Sequence, residues 1–327
     1  MAKNPKRLKS GDEVRIIAPA RSLSLISDTN INNAVVCLKQ YLGLKVSFSK
    51  NVYESDVFIS SSIASRVNDI HDAFSDQNVK GILTVIGGYN SNQLLGHLDY
   101  ELIKNNPKIL CGYSDITALA NAIYRKTGMT TFSGPHFSTF GCLEGIDYIK
   151  EYFKKCLMAD GAFAVHASLT WSDDEWYLDQ SNRTFLHNDG IVTINQGSAS
   201  GTIVGGNLCT LNLLHGTEYM PDLSDTILFV EDDFLVFPEI FDRDLQSLIM
   251  QPGFSGVKGM VIGRFQRASK MSIDVLKAIC HSKRELKNIP IIANADFGHT
   301  MPMFTFPIGG IAKLDTHLAN PVMTLAW

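Results

Sequence analysis

Between residues 108 and 119 the chain passes from an apolar run to a helical pattern within a few positions. The run ends in glycine, and apolar residues recur at helical spacing from residue 116 onward, which predicts a strand, a tight turn and a helix. Such a turn directs the Ser114 hydroxyl away from the sheet and places the backbone N–H of Asp115 at the helix N-terminus, where donors lack partners. This is the pattern of a nucleophile elbow, although an ordinary Ser/Asp helix cap gives the same local sequence.

The rest of the first part of the chain alternates in the same way. The hydrophobic pattern predicts strands at 13–18, 45–48, 81–86 and 108–111, and helices at 28–42, 65–74, 92–98 and 115–126. Alternating strands and helices, with strands that are apolar throughout, are typical of an α/β fold whose parallel sheet is covered on both faces.

The second part is richer in short strands. These are predicted at 191–194, 201–204, 226–230, 260–262 and 290–293, with helices at 208–214, 238–250 and 273–281. Residues 169–190 are acidic and aromatic with no clear period, which indicates a linker or a long loop. We therefore predict an N-terminal parallel-sheet α/β domain over 1–168 and a C-terminal mixed α/β, β-rich domain over 191–327.

Composition narrows the class of protein. At 327 residues and 45% hydrophobic content, the chain is long and apolar enough for a full core. Its net charge of −4, without a long basic block, does not favour a nucleic-acid partner. No apolar stretch approaches the ~20 residues of a membrane span, and no signal peptide is visible. Six scattered cysteines without a CxxC pair are typical of a reduced, cytoplasmic protein.

The sequence lacks the motifs of common cofactor sites. It has no HExxH motif and no P-loop. Gly87-Gly88 differs from the GxGxxG fingerprint, which argues against an NAD-type oxidoreductase. The acidic triplet 231–233 lacks the alternating spacing of a calcium loop. We therefore expect neither a metal nor another cofactor.

Gly87 and Gly88 end the most apolar strand of the first part. In a doubly wound sheet, ligands collect at the carboxyl ends of the strands, and glycine lets the backbone approach a ligand closely. The backbone N–H groups of Gly88 and Asp115 could therefore both donate to one oxyanion. A plain turn at Gly87-Gly88 is the alternative.

A nucleophilic Ser114 needs a base and an acid. His299 follows a glycine after an apolar strand and is the favoured base, while His136, on a loop in the same domain as Ser114, is the weaker candidate. Glu231 directly follows the apolar strand 226–230 and is the candidate acid, although an acidic turn gives the same pattern. The chain order Ser–Glu–His is that of α/β-hydrolases, but Asp and Ile follow the serine where their motif has x-Gly, which disfavours ordinary membership of that class.

Six short motifs resemble those of a known family. They are Gly11-Asp-Glu-Val-Arg-Ile-Ile-Ala-Pro19, Gly87-Gly88, Gly112-Tyr-Ser-Asp-Ile-Thr117, Gly205-Gly-Asn-Leu208, Phe229-Val-Glu-Asp232 and Phe297-Gly-His299. Because they lie in order across nearly the whole chain, the sequence resembles the LD-carboxypeptidase family of serine peptidases, which includes the microcin C self-immunity proteins.

This resemblance implies an N-terminal α/β domain that carries the nucleophile and a C-terminal domain of mixed sheet that carries acid and base. The family's nucleophile, glutamate and histidine fall on Ser114, Glu231 and His299. Its oxyanion donors fall on the backbone N–H groups of Gly88 and Asp115. The implied chemistry is acyl transfer: the histidine takes the serine proton as the hydroxyl attacks an amide carbonyl, and no cofactor is required.

The family acts on two substrate classes. Immunity-type members cleave a peptidyl-nucleotide antibiotic at its aspartyl part, and typical LD-carboxypeptidases remove the terminal D-alanine of cell-wall tetrapeptides. Trp171 or Trp176 could stack on an adenine base, which favours the immunity-like branch, unless these rings pack the linker onto the domain. Arg243 and Arg264 are candidates for binding an anionic substrate group, although Arg243 fits an exposed helix position better.

A non-catalytic module that binds a peptide or nucleotide at the sheet edge is the alternative from a different class. The joint presence of Ser114, Glu231 and His299 disfavours it. The expected partner is a small peptide or peptidyl-nucleotide substrate, and a homodimer is expected as the common state of soluble enzymes.

Overall fold

The computed structural model describes residues 4–318 and 321–327, so residues 1–3 and 319–320 of the two predicted domains lie outside the described part. The strands are β1 (Glu13–Ile17), β2 (Lys45–Phe48), β3 (Val79–Thr84), β4 (Ile109–Cys111), β5 (Thr131–Ser133), β6 (Phe163–Val165), β7 (Thr170–Trp171), β8 (Leu186–His187), β9 (Val192–Asn195), β10 (Ser198–Asn207), β11 (Thr226–Glu231), β12 (Gly259–Gly263), β13 (Ile291–Ala295), β14 (Phe306–Ile308), β15 (Ile311–Asp315) and β16 (Val322–Ala326). The α-helices are α1 (Asp28–Val36), α2 (Ile63–Ser75), α3 (Tyr100–Asn105), α4 (Ile116–Thr127), α5 (Asp147–Leu157), α6 (Leu208–Asn212), α7 (Pro238–Ile249) and α8 (Ile273–Ser282). Short 3-10 helices span Leu23–Leu25, Ser91–His97, Ser138–Gly141, Phe254–Gly256, Arg267–Ser269 and Arg284–Leu286, and a π-helical turn spans Cys37–Tyr41.

The first sheet has six strands in the order β14-β5-β4-β3-β1-β2. Strands β1 to β5 run parallel to their neighbours, and β14 pairs antiparallel with β5. Every residue of β4 and β5 is buried. Because parallel strands end at the same edge of a sheet, the loops that follow β1, β3 and β4 lie side by side.

The second sheet has eight strands in the order β6-β16-β15-β10-β11-β12-β13-β9. Its centre, β10 to β13, is parallel, and its outer strands pair antiparallel. This architecture confirms the predicted fold class, a parallel-sheet α/β domain followed by a mixed, β-rich domain.

Each sheet takes one strand from the other part of the chain. Strand β14, from the second part, closes the edge of the first sheet beside β5. Strand β6, from the first part, pairs with β16 at the edge of the second sheet. The exchange covers two sheet edges that would otherwise present unpaired backbone groups.

Helix α4 of the first domain packs on strand β10 of the second through buried polar contacts. The Asn121 side chain donates to the carbonyl of Gly205 at 2.8 Å and accepts from its N–H at 3.2 Å. The Thr117 hydroxyl accepts a hydrogen bond of 2.9 Å from the N–H of Asn207. All four residues are buried, so these bonds fix the start of α4 against the carboxyl end of β10.

Several elements differ from the sequence prediction. The single helix predicted at 28–42 is divided in the structure: α1 ends at Val36, and a π-helical turn follows it over Cys37–Tyr41. Strands β5 to β8 and β14 to β16, and helices α3 and α5, were not predicted. These strands have two to five residues each, and β15 and β16 alternate between buried and less buried positions. Among the described residues, no helix combines the length and the apolar character that crossing a membrane requires.

We expect Asn121→Ala to destabilise the protein, because the N–H and C=O of Gly205 would lose a buried partner. Each unsatisfied buried group costs roughly 1–3 kcal/mol, so the free energy of unfolding in a urea titration should fall by about 2–5 kcal/mol. Asn32, exposed on α1, is the control, and Asn32→Ala should change that free energy by less than about 0.5 kcal/mol. Equal effects of the two substitutions would contradict a stabilising role for the contact.

Candidate active site

Ser114 occupies the turn between β4 and α4 in a backbone conformation that few non-glycine residues adopt. Its φ is +59°, and the turn spans only residues 112–115. Strained backbone of this kind costs about 1–3 kcal/mol and persists only where the surroundings impose it. The segment therefore has the sharp strand–turn–helix geometry of a nucleophile elbow, at the carboxyl edge of the first sheet.

Ser114, His299 and Glu231 form one hydrogen-bonded line. Ser114 Oγ lies 2.9 Å from His299 Nε2, and His299 Nδ1 lies 2.7 Å from Glu231 Oε2. The Glu231 side chain is 2% exposed, whereas 16% of the His299 side chain remains accessible. The bond to the carboxylate assigns a proton to Nδ1, which leaves Nε2 facing the hydroxyl. The structure thus brings together residues that are 68 and 185 positions apart in the chain.

The carboxyl ends of β11 and β13, which lie on either side of β12 in the second sheet, hold the acid and the base. Glu231 is the last residue of β11, and His299 lies in the loop that follows β13. In that loop Gly298 has a φ of +99°, and a Cβ atom there would overlap the Glu231 carboxylate. Glycine therefore lets the backbone before His299 pass directly against the acid.

Carboxylates around His299 determine its charge. Burial disfavours the charged imidazolium, but the charge and the hydrogen bond of Glu231 outweigh it and raise the pKa of His299 to about 9. The charges of Asp233 and Asp232 contribute to this raised pKa. Burial, together with the adjacent Glu231, also raises the pKa of Asp232 to about 7. The neutral imidazole, the form that accepts a proton, therefore predominates only in alkaline solution.

The backbone N–H groups of Gly88 and Asp115 have no protein acceptor among the described residues. Gly88 lies in the loop after β3, and Asp115 lies in the turn after the adjacent β4. Gly87 packs against the elbow, since a Cβ atom at residue 87 would lie 2.9 Å from Ser114 Cβ and 3.0 Å from its Oγ. Two unpaired donors thus belong to backbone segments that meet at Ser114.

The Asp115 carboxylate locks these two segments together, a role that the sequence analysis missed. It accepts hydrogen bonds from the N–H groups of Asn90 at 3.1 Å and Ser91 at 2.9 Å, and Ser91 Oγ donates to the Asp115 carbonyl at 2.7 Å. The buried Arg66 holds the same loop by donating to the Asn90 carbonyl at 3.0 Å. An aspartate directly before a helix whose first eight residues are uncharged and buried is the sequence signal, because such a carboxylate is itself buried and needs partners.

His136 does not bond to Ser114. Its Nδ1 lies 2.7 Å from Thr84 Oγ1, and burial lowers its pKa to about 3, so the ring is neutral. It stacks on Tyr113 at 4.3 Å between ring centroids, and Tyr113 meets His299 edge-on at 5.3 Å. His136 thus supports the ring beside the elbow, and His299 occupies the position next to the hydroxyl.

The aromatic segment 169–190 is tied to the second domain. Ser172 and Met301 exchange two backbone hydrogen bonds of 2.7 and 2.8 Å, two residues beyond the histidine of the hydrogen-bonded line. Asp173 forms an ion pair of 2.7 Å with Arg267. Strands β7 and β8 form a short hairpin within this segment. The segment therefore lies beside the candidate site in a defined conformation.

Arg264 and the two tryptophans of this region have structural contacts. Arg264 is buried in an ion pair of 3.2 Å with Asp296, donates to Asn188 at 2.6 Å and lies 4.9 Å from the Trp171 ring centroid. The expectation that Arg264 binds a substrate anion is thus corrected, because Asp296 already neutralises it. Trp176 is half-buried against the core of the first domain.

Arg243 lies apart from this assembly. It is on α7 with 72% of its side chain exposed, and its Nε bonds to the neighbouring Asp244 at 3.2 Å. This is the exposed helix position that the sequence offered as the alternative. Among the described residues, no group of three or more His, Cys, Asp or Glu side chains is arranged to hold a metal ion.

A serine on an elbow, an imidazole bonded to a buried carboxylate and free backbone donors can together perform nucleophilic acyl transfer. Fold and site thus define a two-domain α/β protein with a hydrolase-type arrangement at the sheet edge. Comparison with known families agrees with this class: the LD-carboxypeptidase N-terminal domain matches residues 14–134, and the LD-carboxypeptidase C-terminal domain matches residues 200–314. The chain belongs to the LD-carboxypeptidase family of peptidases, which confirms the resemblance seen in its motifs.

Relatives match over almost the whole chain. The protein YocD of Bacillus subtilis (strain 168) is 57% identical over 309 residues, which cover 94% of this chain and 95% of YocD. The microcin C7 self-immunity protein MccF of Escherichia coli is 31% identical over 332 residues, covering 97% of this chain and 94% of MccF. The crystal structure of an MccF-like protein from Bacillus anthracis (strain Ames) is 53% identical, with a TM-score of 0.98 and 99% of each chain covered.

We expect Glu231→Gln to lower the pKa of His299 well below its value of about 9, because burial is then opposed only by the weaker effects of Asp233 and Asp232. NMR titration of the imidazole measures this directly. Asp233→Asn is the matched control, since it removes a charge that acts without a hydrogen bond, and it should lower the pKa much less. Similar shifts in the two variants would contradict the dominant role of Glu231.

Proposed function

We propose that this protein is a serine peptidase in which Ser114 is the nucleophile, His299 the general base and Glu231 the acid that orients the base. The hydrogen-bonded line through these three side chains, with distances of 2.9 and 2.7 Å, carries the proposal. The positive φ of Ser114 supports it, because a strained elbow serine is rarely kept without a chemical use.

The reaction begins when neutral His299 takes the hydroxyl proton as Ser114 Oγ attacks the carbonyl carbon of an amide. The N–H groups of Gly88 and Asp115 donate to the tetrahedral oxyanion, each lowering the barrier by about 3 kcal/mol. The imidazolium, stabilised by Glu231, then protonates the departing nitrogen, and the amide C–N bond breaks to leave an acyl-serine ester. Water, deprotonated by the same imidazole, hydrolyses the ester and restores the hydroxyl.

The substrate that we favour is a peptidyl-nucleotide, cleaved between an aspartyl residue and the nucleotide moiety. The 53% identity to the MccF-like protein supports this branch, and MccF itself has been solved in complex with aspartyl sulfamoyl adenosine. Trp176 is the candidate surface for the base: it lies in the segment beside the site, whereas Arg264 already covers one face of Trp171. Stacking on such a ring contributes about 1–3 kcal/mol.

The second candidate substrate is a cell-wall peptide that ends in D-alanine. The activity after which the family's two domains are named favours it. The same three side chains would then cleave the last amide of the tetrapeptide, and D-alanine would be the leaving amine. No step of the acyl transfer distinguishes the two candidates, so the choice depends on contacts with the leaving group.

We also propose that the protein acts as a homodimer in the cytoplasm. Its six cysteines are all free thiols, which is typical of proteins in a reducing compartment. A closed dimer is the commonest assembly of enzymes of this size. The partner of the site itself is a small peptide or nucleotide.

The protein is incubated separately with aspartyl sulfamoyl adenosine and with a tetrapeptide ending in D-alanine. Mass spectrometry of the products then shows which of the two amides it cleaves. We expect release of aspartate from the first. Ser114→Ala should lower the rate by at least about 1,000-fold, because the nucleophile is removed. Ser181→Ala, at an exposed serine of the aromatic segment, should leave the rate unchanged.

Cleavage of the tetrapeptide alone would select the carboxypeptidase activity. Binding of either ligand without cleavage by the native protein would contradict the peptidase proposal and support a binding module. Equal rates for the native protein and Ser114→Ala would contradict the assigned nucleophile.

Gly87→Ala should lower kcat by about 100-fold, because the added methyl group displaces Ser114 Oγ and misplacement near 1 Å has effects of this size. Gly96→Ala is the control, since a Cβ atom there meets only the Tyr219 hydroxyl at 3.8 Å, and its kcat should stay within about twofold. Thermal unfolding of both variants tests whether the fold is intact. A normal kcat in Gly87→Ala would show that the reaction does not occur beside residue 87.

A further inference from the structure

Arg21 lies at the same sheet edge as the elbow. It follows β1, which neighbours β3 in the first sheet. Its backbone N–H donates to the carbonyl of Gly87 at 3.3 Å, and a Cβ atom at residue 88 would lie 3.2 Å from Arg21 Cγ. The side chain therefore leaves the backbone in contact with Gly88, and Gly87 in turn touches Ser114.

The Arg21 guanidinium has no carboxylate within ion-pair distance in the part of the chain that the structure describes. Its Nε is buried without a hydrogen-bond acceptor. Tyr89 lies beside it, with 5.2 Å between Arg21 Cζ and the ring centroid, and this ring is 69% exposed. A cation–π contact holds a guanidinium in place but does not neutralise it. Partial burial of an uncompensated cation is costly, which is expected where a ligand supplies the opposite charge.

Two other arginines without a described ion pair differ from Arg21. Arg66 shares the unpartnered buried Nε, but both of its terminal nitrogen atoms donate within the fold, to the oxygen atoms of Pro19, Asn90 and Gln93. Arg125 is exposed in the last turn of α4, about 15 Å along the helix from the turn that holds the serine. Arg21 alone among these three lies against the Gly87-Gly88 loop with its charge unpaired.

We propose that Arg21 binds an anionic group on the leaving-group side of the scissile amide. This inference rests on the proposed function, because attack by Ser114 defines which side of the amide leaves. The two candidate substrates share the required chemistry: the D-alanine residue carries its carboxylate, and the nucleotide is joined to the aspartyl carbonyl through an acyl-sulfamoyl or phosphoryl linkage that is anionic in the intact substrate. A guanidinium matches either group through two parallel hydrogen bonds.

The carboxylates on the β11 side of the site favour a position for the anionic leaving group on the other side, toward β1. Glu231, Asp232 and Asp233 follow one another at the end of β11, around the imidazole. A negatively charged leaving group is repelled from these carboxylates and attracted to the uncompensated cation across the elbow. Arg21 thereby orients the amide, so that its carbonyl carbon faces the hydroxyl.

Ligand affinities measured on the Ser114→Ala variant test the role of Arg21, because this variant cannot hydrolyse the ligands. Two ligand pairs are compared by calorimetry: aspartyl sulfamoyl adenosine against the neutral aspartyl amide of 5′-amino-5′-deoxyadenosine, and the tetrapeptide ending in D-alanine against its C-terminal amide. Adding Arg21→Met should weaken binding of an anionic ligand about 30- to 100-fold and binding of its neutral partner less than about threefold, as expected for the loss of hydrogen bonds to a charged group. Arg21→Lys should lose less than Arg21→Met, and Arg125→Met should leave both affinities unchanged.

Each outcome decides the proposal. A selective loss in both pairs supports it, and a selective loss in one pair supports it and identifies whether the site prefers a carboxylate or a sulfamoyl group. Equal losses for anionic and neutral ligands, unchanged affinity, or no binding of either anionic ligand by Ser114→Ala would overturn it. Hydrolysis by the protein with Ser114 intact is measured separately: cleavage of neither substrate would contradict the proposed function, whereas the affinities would still decide the role of Arg21.

Discussion

The docking of helix α4 on strand β10 is the contact on which the candidate site depends. Ser114 stands three residues before Thr117, whose hydroxyl accepts the N–H of Asn207. Asn207 pairs in register with Glu231 on the adjacent strand. One buried polar contact therefore relates the elbow of the first domain to the acid of the second. Because hydrogen bonds are directional, this contact fixes an angle as well as a separation, which apolar packing alone would not do.

Close backbone approach is the second constraint. Glycine at 87 lets the loop after β3 rest on the serine, and glycine at 298 lets the chain before the histidine pass against Glu231. At both positions, the absence of a side chain lets the backbone come closer to a functional side chain than any larger residue would allow. The elbow at Ser114 adds backbone strain, which the Asp115 carboxylate offsets through its bonds to the neighbouring loop. Local strain and its compensation thus lie within the same few residues.

The sequence predicted the parts of this site that depend on strand ends. Ser114, Glu231 and His299 each come at or after the end of an apolar strand, and the parallel order places Ser114 at the carboxyl edge of the first sheet and the other two at the carboxyl edge of the second. It could not predict contacts between distant polar groups. The pairing of Arg264 with Asp296, and the exchange of β14 and β6 between the sheets, depend on neighbours that only the folded chain supplies. Arg264 looked like a ligand for an anion because its internal partner, 32 positions away, leaves no local pattern.

The electrostatics of the site are asymmetric, and this asymmetry limits the substrates that fit. Three consecutive carboxylates lie at the end of β11, and they keep a positive charge on His299 well into alkaline solution. That charge must be lost before the imidazole can act as a base, so a ligand that favours the neutral form would activate the site. An anion bound close to the imidazole would stabilise the charged form and oppose catalysis. An anion held by Arg21, on the side of the elbow away from β11, would avoid this effect, because its charge would be compensated by the guanidinium rather than by the histidine.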